Sequence, residues 1–168
     1  MTPEAFKIKV LHFKNRLYRY CLRMLNDHDE ANDAVQEVYL KLWTMKDRLN
    51  IYDNPDAYAM KMARNHCLDQ LKASRRQNVR LSELEADVSI NTGASFDDRD
   101  MTARIKSLID QLPELQRSII HLRDIEQYTI DEIELITGLN PNAIRVNLSR
   151  ARKKIRDKIE KYQHHEYQ

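Results

Sequence analysis

Residues 129–154 read TIDEIELITGLNPNAIRVNLSRARKK, and this stretch decides how the rest of the chain is read. Thr129 followed three residues later by Glu132 is a capping box, in which each side chain satisfies a backbone N–H left free at a helix start. Ile130, Ile133 and Ile136 form a short apolar stripe at helical spacing. Gly138 then stands where a helix ends in the left-handed conformation that glycine adopts freely. After Leu139, Asn140-Pro141 supplies a second cap and a first-turn proline. Ile144, Leu148, Ala151, Ile155 and Ile159 mark the inward face of a longer helix. A short capped helix, a glycine, an apolar plug and a long helix together make a helix-turn-helix.

Charge points the same way. Residues 141–161 hold eight basic and two acidic side chains, in a chain whose formal net charge is only +2. A concentrated basic helix inside a nearly neutral chain suits a polyanion at one place. With the core face fixed, the outward positions are Asn142, Arg145, Val146, Ser149, Arg150 and Lys153. In a helix-turn-helix, residues near the start of the second helix reach base edges in the major groove and later basic ones meet phosphates. A solvated charged face is the bland alternative, and the capping box, the glycine turn and the polar start of the helix weigh against it.

Working toward the N-terminus, residues 78–100 are acidic, with six Asp/Glu against two Lys/Arg, and their periodicity is weak. They read as a linker with a short turn at 82–86. Residues 101–168 precede and contain the helix-turn-helix: Ile105, Leu108 and Leu112, then Pro113 restarting with Leu115, Ile119 and Leu122. Residues 1–77 form the other domain. Phe6, Val10, Phe13, Leu17, Tyr20 and Met24 predict one long first helix, ended at residues 26–29. Ala31, Val35, Val38, Leu42, Met45 and Leu49 predict a second, with Trp43 in its core seam. After Asn54-Pro55, a third runs to about Arg76, with Met60, Ala63, Cys67 and Leu71 inward. The expectation is an all-α chain: two small helical domains joined by a linker.

Composition narrows the function. Two glycines and four prolines in 168 residues leave too few breakers for a strand-rich fold. No apolar run is long enough to span a bilayer, and the first ten residues lack the core of a secretion signal, so a cytoplasmic location is expected. Cys21 and Cys67 lie inside helical patterns without metal-ligand spacing. Neither a paired-carboxylate metal site nor a nucleophile with a positioned base is visible, so no enzyme activity, cofactor or metal is expected. The terminal His164-His165 reads as a polar tail.

Two motif sets now carry a resemblance. Residues 112–117 (LPELQR), 128–133 (YTIDEI) and 143–155 (AIRVNLSRARKKI) resemble the C-terminal domain of extracytoplasmic-function sigma factors. Residues 33–43 (DAVQEVYLKLW) resemble that family's polymerase-binding helix, and residues 54–58 with 63–69 (ARNHCLD) its promoter-reading helix. The resemblance covers nearly the whole chain outside the linker and the last residues. It implies an alternative sigma factor that binds core RNA polymerase, directs it to specific promoters and assists their opening. The polymerase clamp, in the largest subunit, and the flap are the implied docking points, with promoter DNA as the second partner. The family leaves room for an anti-sigma factor as a third.

The resemblance also implies roles. Asp33, Gln36 and Glu37 match the polymerase-binding positions. The loop 50–54 and the outer face of the third helix match the surface that reads the minus-ten element, where one base is flipped into a pocket. Asn50, Tyr52, Asn54 and Tyr58 would meet the base, Lys61 and Arg64 the phosphates, and Asn65, Asp69, Arg75 and Arg76 the adjacent DNA. Asn142, Arg145, Val146, Ser149, Arg150 and Lys153 would read the minus-thirty-five element. Glu134 and Val146 depart from the family's usual small residues, and Val146 could touch a thymine methyl. The main rival is a dimeric helix-turn-helix regulator that binds a palindrome.

Overall fold

A computed structural model of the chain describes residues 1–84 and 101–167, and among these residues there are helices and turns but no strand. In the first domain, α1 (Pro3–Leu11), α2 (Lys14–Leu25) and α3 (His28–Thr44) lead through a 3-10 segment (Lys46–Ile51) to α4 (Pro55–Leu84). In the second, α5 (Met101–Asp110) and α6 (Glu114–Ile120) lead through a π-helical turn (His121–Ile125) to α7 (Ile130–Thr137) and α8 (Pro141–Glu166). The fold is all-α in two domains, as expected.

The first domain is built on the α2–α3 hairpin, with α4 packed across both. Asn26 turns the chain in the left-handed region at φ 53°, and the Asp27 side chain accepts from the Glu30 N–H at 2.9 Å to start α3. Leu17, Tyr20, Cys21, Val35, Val38, Leu42, Met60, Ala63 and Cys67 are buried between these helices. Both thiols are therefore core groups. A hydrogen bond with Cys21, then burial, pushes the Cys67 thiol far above its ordinary range.

Three details of this domain depart from expectation. The single first helix is two: the chain breaks at His12-Phe13, letting α1 lie over the end of α3. There the Tyr39 hydroxyl donates to the Val10 carbonyl at 3.2 Å. Phe6, Val10 and Phe13 are buried either way, so apolar spacing could not register the break. Trp43 is not in the core. It is 36% exposed, edge-on to Phe6 with ring centroids 5.0 Å apart and the Lys46 ammonium 4.2 Å above its ring. Finally, α4 continues beyond Arg76 to Leu84. No Gly or Pro lies between Pro55 and Gly93 to stop it. The apolar stripe fades because the side chains 72–80 are all exposed. The start of the expected linker is thus helical, and its remainder, residues 85–100, lies outside the described residues.

The second domain follows the sequence closely. The Thr129 hydroxyl accepts from the Glu132 N–H at 3.1 Å, and the Glu132 carboxylate accepts from the Thr129 N–H at 3.1 Å. Gly138 sits at φ +75° with its N–H on the Glu134 carbonyl at 2.8 Å. The Asn140 side chain caps α8 through the Ala143 N–H at 2.8 Å. Ile119, Leu122, Ile133, Ile136, Ile144 and Ala151 form the core. An added Cβ at Gly138 meets nothing within 4 Å, so Gly138→Ala carries only the left-handed backbone penalty. The expected loss is about 1–2 kcal/mol, read as a lower thermal midpoint with unchanged DNA selectivity.

The two domains dock: α2 packs on α6 and α4 on α7. Tyr20 is fully buried, and its hydroxyl lies 2.6 Å from the Ser118 hydroxyl, tying one core to the other.

Candidate nucleic-acid interface

Asn142, Arg145, Val146, Ser149, Arg150 and Lys153 are all exposed on α8, while Ile144, Leu148, Ala151 and Ile155 are buried beneath them. The cap fixes the start of the helix and the Gly138 turn sets its angle to α7, so the exposed side chains extend from a rigid base. Arg152 is held by Asp124 through two bonds, of 2.6 and 3.0 Å.

The second surface is built where the 3-10 segment meets α4. The 3-10 segment ends in the exposed Ile51, and the Tyr52 ring stacks on Tyr58 at 4.2 Å between centroids and 19° between planes. The Tyr58 phenol is raised by its hydrogen bond with Tyr52, then by burial, which keeps it neutral. Asn50 is exposed and takes the Lys9 ammonium on its side-chain oxygen, so α1 contributes a cation that sequence reasoning did not place there. Asn54 caps α4 through the Ala57 N–H at 3.0 Å. Along α4, Lys61, Asn65, Asp69, Arg75 and Arg76 are exposed. Arg64 is only half-exposed, and its Nε is buried without a hydrogen-bond partner. On α3, Asp33, Gln36 and Glu37 are exposed on one face, with Leu40, itself 60% exposed, one turn further on.

Sequence reasoning missed what joins these surfaces. The π-helical turn closes with the Glu126 N–H on the His121 carbonyl at 3.0 Å, and Gln127 follows at φ 62°. That reversal carries Glu126 into the domain boundary, where it is 3% exposed. Arg19 donates to both of its carboxylate oxygens, at 2.6 and 2.8 Å, and Arg16 donates to its backbone carbonyl at 2.7 Å. Arg16 also pairs with Asp56 at 2.7 Å, and Asp56 accepts the Tyr128 hydroxyl. Arg23 pairs with Asp110 at 2.8 Å. Two expected reading residues take part: Asn54 donates to Glu132 at 3.0 Å, and Arg75 to Glu114 at 3.2 Å. The only signal in the sequence was Arg16, Arg19 and Arg23 on one helical face.

This cluster is sensitive to pH in a definite direction. Burial pushes the Glu126 carboxyl up, but the bonds from Arg19 and His121 outweigh it and hold it at about 2. Burial is also the main influence on His121, lowering it below 6.5, with Arg23 and Arg19 acting the same way against Glu126. His121 faces the Arg23 guanidinium at 3.5 Å, the edge of Tyr20, and Glu126 at 3.4 Å. Both groups take up protons more readily when undocked and hydrated, so docking is strongest above both ordinary values. It is expected to weaken below about pH 6.5 through His121. Below about pH 4.5, the ordinary carboxyl value, Glu126 adds to the loss. Small-angle scattering against pH checks this: the radius of gyration should rise while helicity persists.

Comparison with known proteins gives a consistent result. Residues 10–77 match the family model for sigma-70 region 2, and residues 102–155 that for sigma-70 region 4. The ECF RNA polymerase sigma factor SigW of Bacillus subtilis is 22% identical over 171 residues, covering 93% of this chain and 89% of the relative. The RNA polymerase sigma factor SigV of the same organism is 26% identical over 161 residues, covering 95% of each. Among solved structures, the sigma factor RpoE in complex with the anti-sigma factor NepR, from Bartonella quintana, superposes with a TM-score of 0.73. It is 23% identical, over 94% of this chain and 98% of that one. CnrH in complex with the cytosolic domain of CnrY gives 0.66 at 20% identity, over 95% and 90%.

Proposed function

The chain belongs to the sigma-70 family, in its extracytoplasmic-function group, and from that premise we propose how its surfaces divide promoter recognition. It is an alternative sigma factor: it binds core RNA polymerase and directs it to particular promoters. We assign polymerase binding and minus-ten recognition to residues 1–77, connection to residues 78–100 and minus-thirty-five recognition to residues 101–168. The observation that carries this reading is the α8 face, where six outward side chains stand exposed over a buried apolar seam on a capped helix.

On α8, Arg145 suits a bidentate bond to guanine and Val146 apolar contact with a thymine methyl, while Arg150 and Lys153 neutralise phosphates. At the other surface, Asn50, Tyr52, Asn54 and Tyr58 receive a base flipped from the non-template strand. Unstacking costs a few kcal/mol, and a tyrosine face returns about 1–3 kcal/mol per stacked base. With only Tyr52 and Tyr58 as stacking faces there, opening depends on good matches at both elements. Lys61, Arg64, Asn65, Asp69, Arg75 and Arg76 track the neighbouring DNA. Asp33, Gln36 and Glu37 dock on the polymerase clamp. The chain's task is binding, and the polymerase supplies the chemistry, in the cytoplasm where it works. No helix among the described residues is long and apolar enough to cross a membrane.

A groove of about 1140 Å³ favours an anti-sigma factor as a further partner. Its floor is apolar, with Ile105, Ile109, Ile120 and Leu148, and its rim carries Lys106, Arg145 and Arg156. An acidic amphipathic helix fits those walls and would cover Arg145.

Transcription by purified core polymerase, with and without the chain, tests the reading on a promoter-bearing template. Transcripts from one start site that require the chain support it. Tight binding to an intact palindrome without initiation would favour the dimeric regulator instead.

A further inference from the structure

Given the assignment of Asn50 to the minus-ten surface, on which this rests, we infer that Lys9 is a positioning residue for base selection. Its ammonium turns the Asn50 amide so that N–H donors, and not the carbonyl oxygen, face a flipped base. Lys9 lies on α1, just before the stretch that matches sigma-70 region 2, residues 10–77. The two partners are 41 residues apart in the chain, and each stands on anchored backbone. Phe6 and Val10 on α1 are buried, Phe6 edge-on to Trp43 and the Val10 carbonyl held by the Tyr39 hydroxyl. Leu49, 1% exposed, pins the 3-10 segment immediately before Asn50. Lys9 itself is half-buried, so its side chain is confined while Asn50 is exposed.

The chemistry of the pair fixes the direction of the amide. An ammonium carries three donors and no acceptor, so the Asn50 oxygen must be the atom that faces it. The amide nitrogen then points the opposite way, and among the described residues no hydrogen bond uses it. Without Lys9 the terminal torsion of asparagine is roughly two-fold, and either end of the amide could be presented. With Lys9 only donors are presented. Adenine, cytosine and thymine each carry an acceptor on the pairing edge that can meet such a donor. Guanine carries two adjacent donors there, and a donor set against a donor leaves both unpaired. The pair therefore selects against guanine in the pocket beside Tyr52 and Tyr58. The Lys9 charge also attracts phosphate, an effect blind to sequence.

The test uses the full chain bound to core polymerase. Anisotropy reads binding of non-template-strand oligonucleotides that carry the minus-ten element, with each base in turn at every position. Lys9→Met keeps the apolar stem and removes the ammonium; circular dichroism checks that it folds. At one position the wild type is expected to disfavour guanine by about fivefold, the worth of roughly one net hydrogen bond. Lys9→Met should bring that ratio close to one, and Lys9→Arg should keep it. Lys9→Glu should invert it, because a carboxylate takes the amide nitrogen and turns the oxygen outward. Asn50→Ala should abolish the ratio, and adding Lys9→Met to it should change selectivity no further. A uniform loss of affinity in Lys9→Met with the guanine ratio intact would overturn the positioning role and leave a phosphate contact. A ratio untouched by Lys9→Glu would overturn it as well. Failure of the minus-ten assignment shows differently: the wild type would then prefer no base at any position, and Asn50→Ala would bind as the wild type does.

Discussion

Replacing Arg145 with alanine should lower initiation from the chain's promoter by roughly 5- to 150-fold, the equivalent of about 1–3 kcal/mol for one bidentate guanine contact. The side chain is exposed next to the buried Ile144, so its removal leaves the helix packing intact. The loss should also be selective. Transcription from templates altered at one base pair of the upstream element would fall less in the variant than in the wild type. Lys153→Ala is the control for a phosphate contact. It should weaken binding evenly across sequences and reduce the salt slope by about one. Titrations of promoter complexes against salt, on matched and mismatched templates, separate the two behaviours. An Arg145→Ala chain that keeps its base preference would remove Arg145 from the reading face.

The second large effect is structural. Ile144 is 0% exposed, on the buried face of α8. Ile144→Ala should cost about 2–5 kcal/mol, the range for deleting a large aliphatic side chain from a packed core. Small domains hold only about 5–15 kcal/mol in total, so α8 would be displaced in a sizeable share of molecules. Urea unfolding should show an earlier transition for the second domain. Initiation should fall most on promoters with strong minus-thirty-five elements. An unchanged midpoint would mean that the turn at Gly138 and the two caps hold α8 without this seam.

What was legible in the sequence depended on the range of the interaction. The helix-turn-helix was plain because its signals are local: Thr129 and Glu132 are three residues apart, and Gly138 and Asn140 act on their own backbone neighbours. The α2–α3 hairpin was plain because its buried positions repeat at helical spacing. The break at His12-Phe13 was hidden because α1 and α2 preserve that spacing across it. The extension of α4 was hidden because an unpacked helix shows no stripe. Least visible was Glu126. A glutamate at a turn is ordinarily solvated, and only the π-helical reversal and two arginines, Arg16 and Arg19, about a hundred residues away make it a buried partner. The outward faces of α4 and α8 followed from helical phase, but the docking that ties Asn54 to Glu132 and Arg75 to Glu114 is a property of long-range polar pairs.

The assigned residues require that one chain carry two separate promoter-reading surfaces for one polymerase. Site-specific photocrosslinking from positions 54 and 145 in the polymerase-bound chain tests it most directly. Position 54 is expected to label the non-template strand just upstream of the start site and position 145 a duplex segment about 25 base pairs further upstream, a displacement of roughly 85 Å. Labelling of one contiguous site by both positions, equally strong without polymerase, would contradict it.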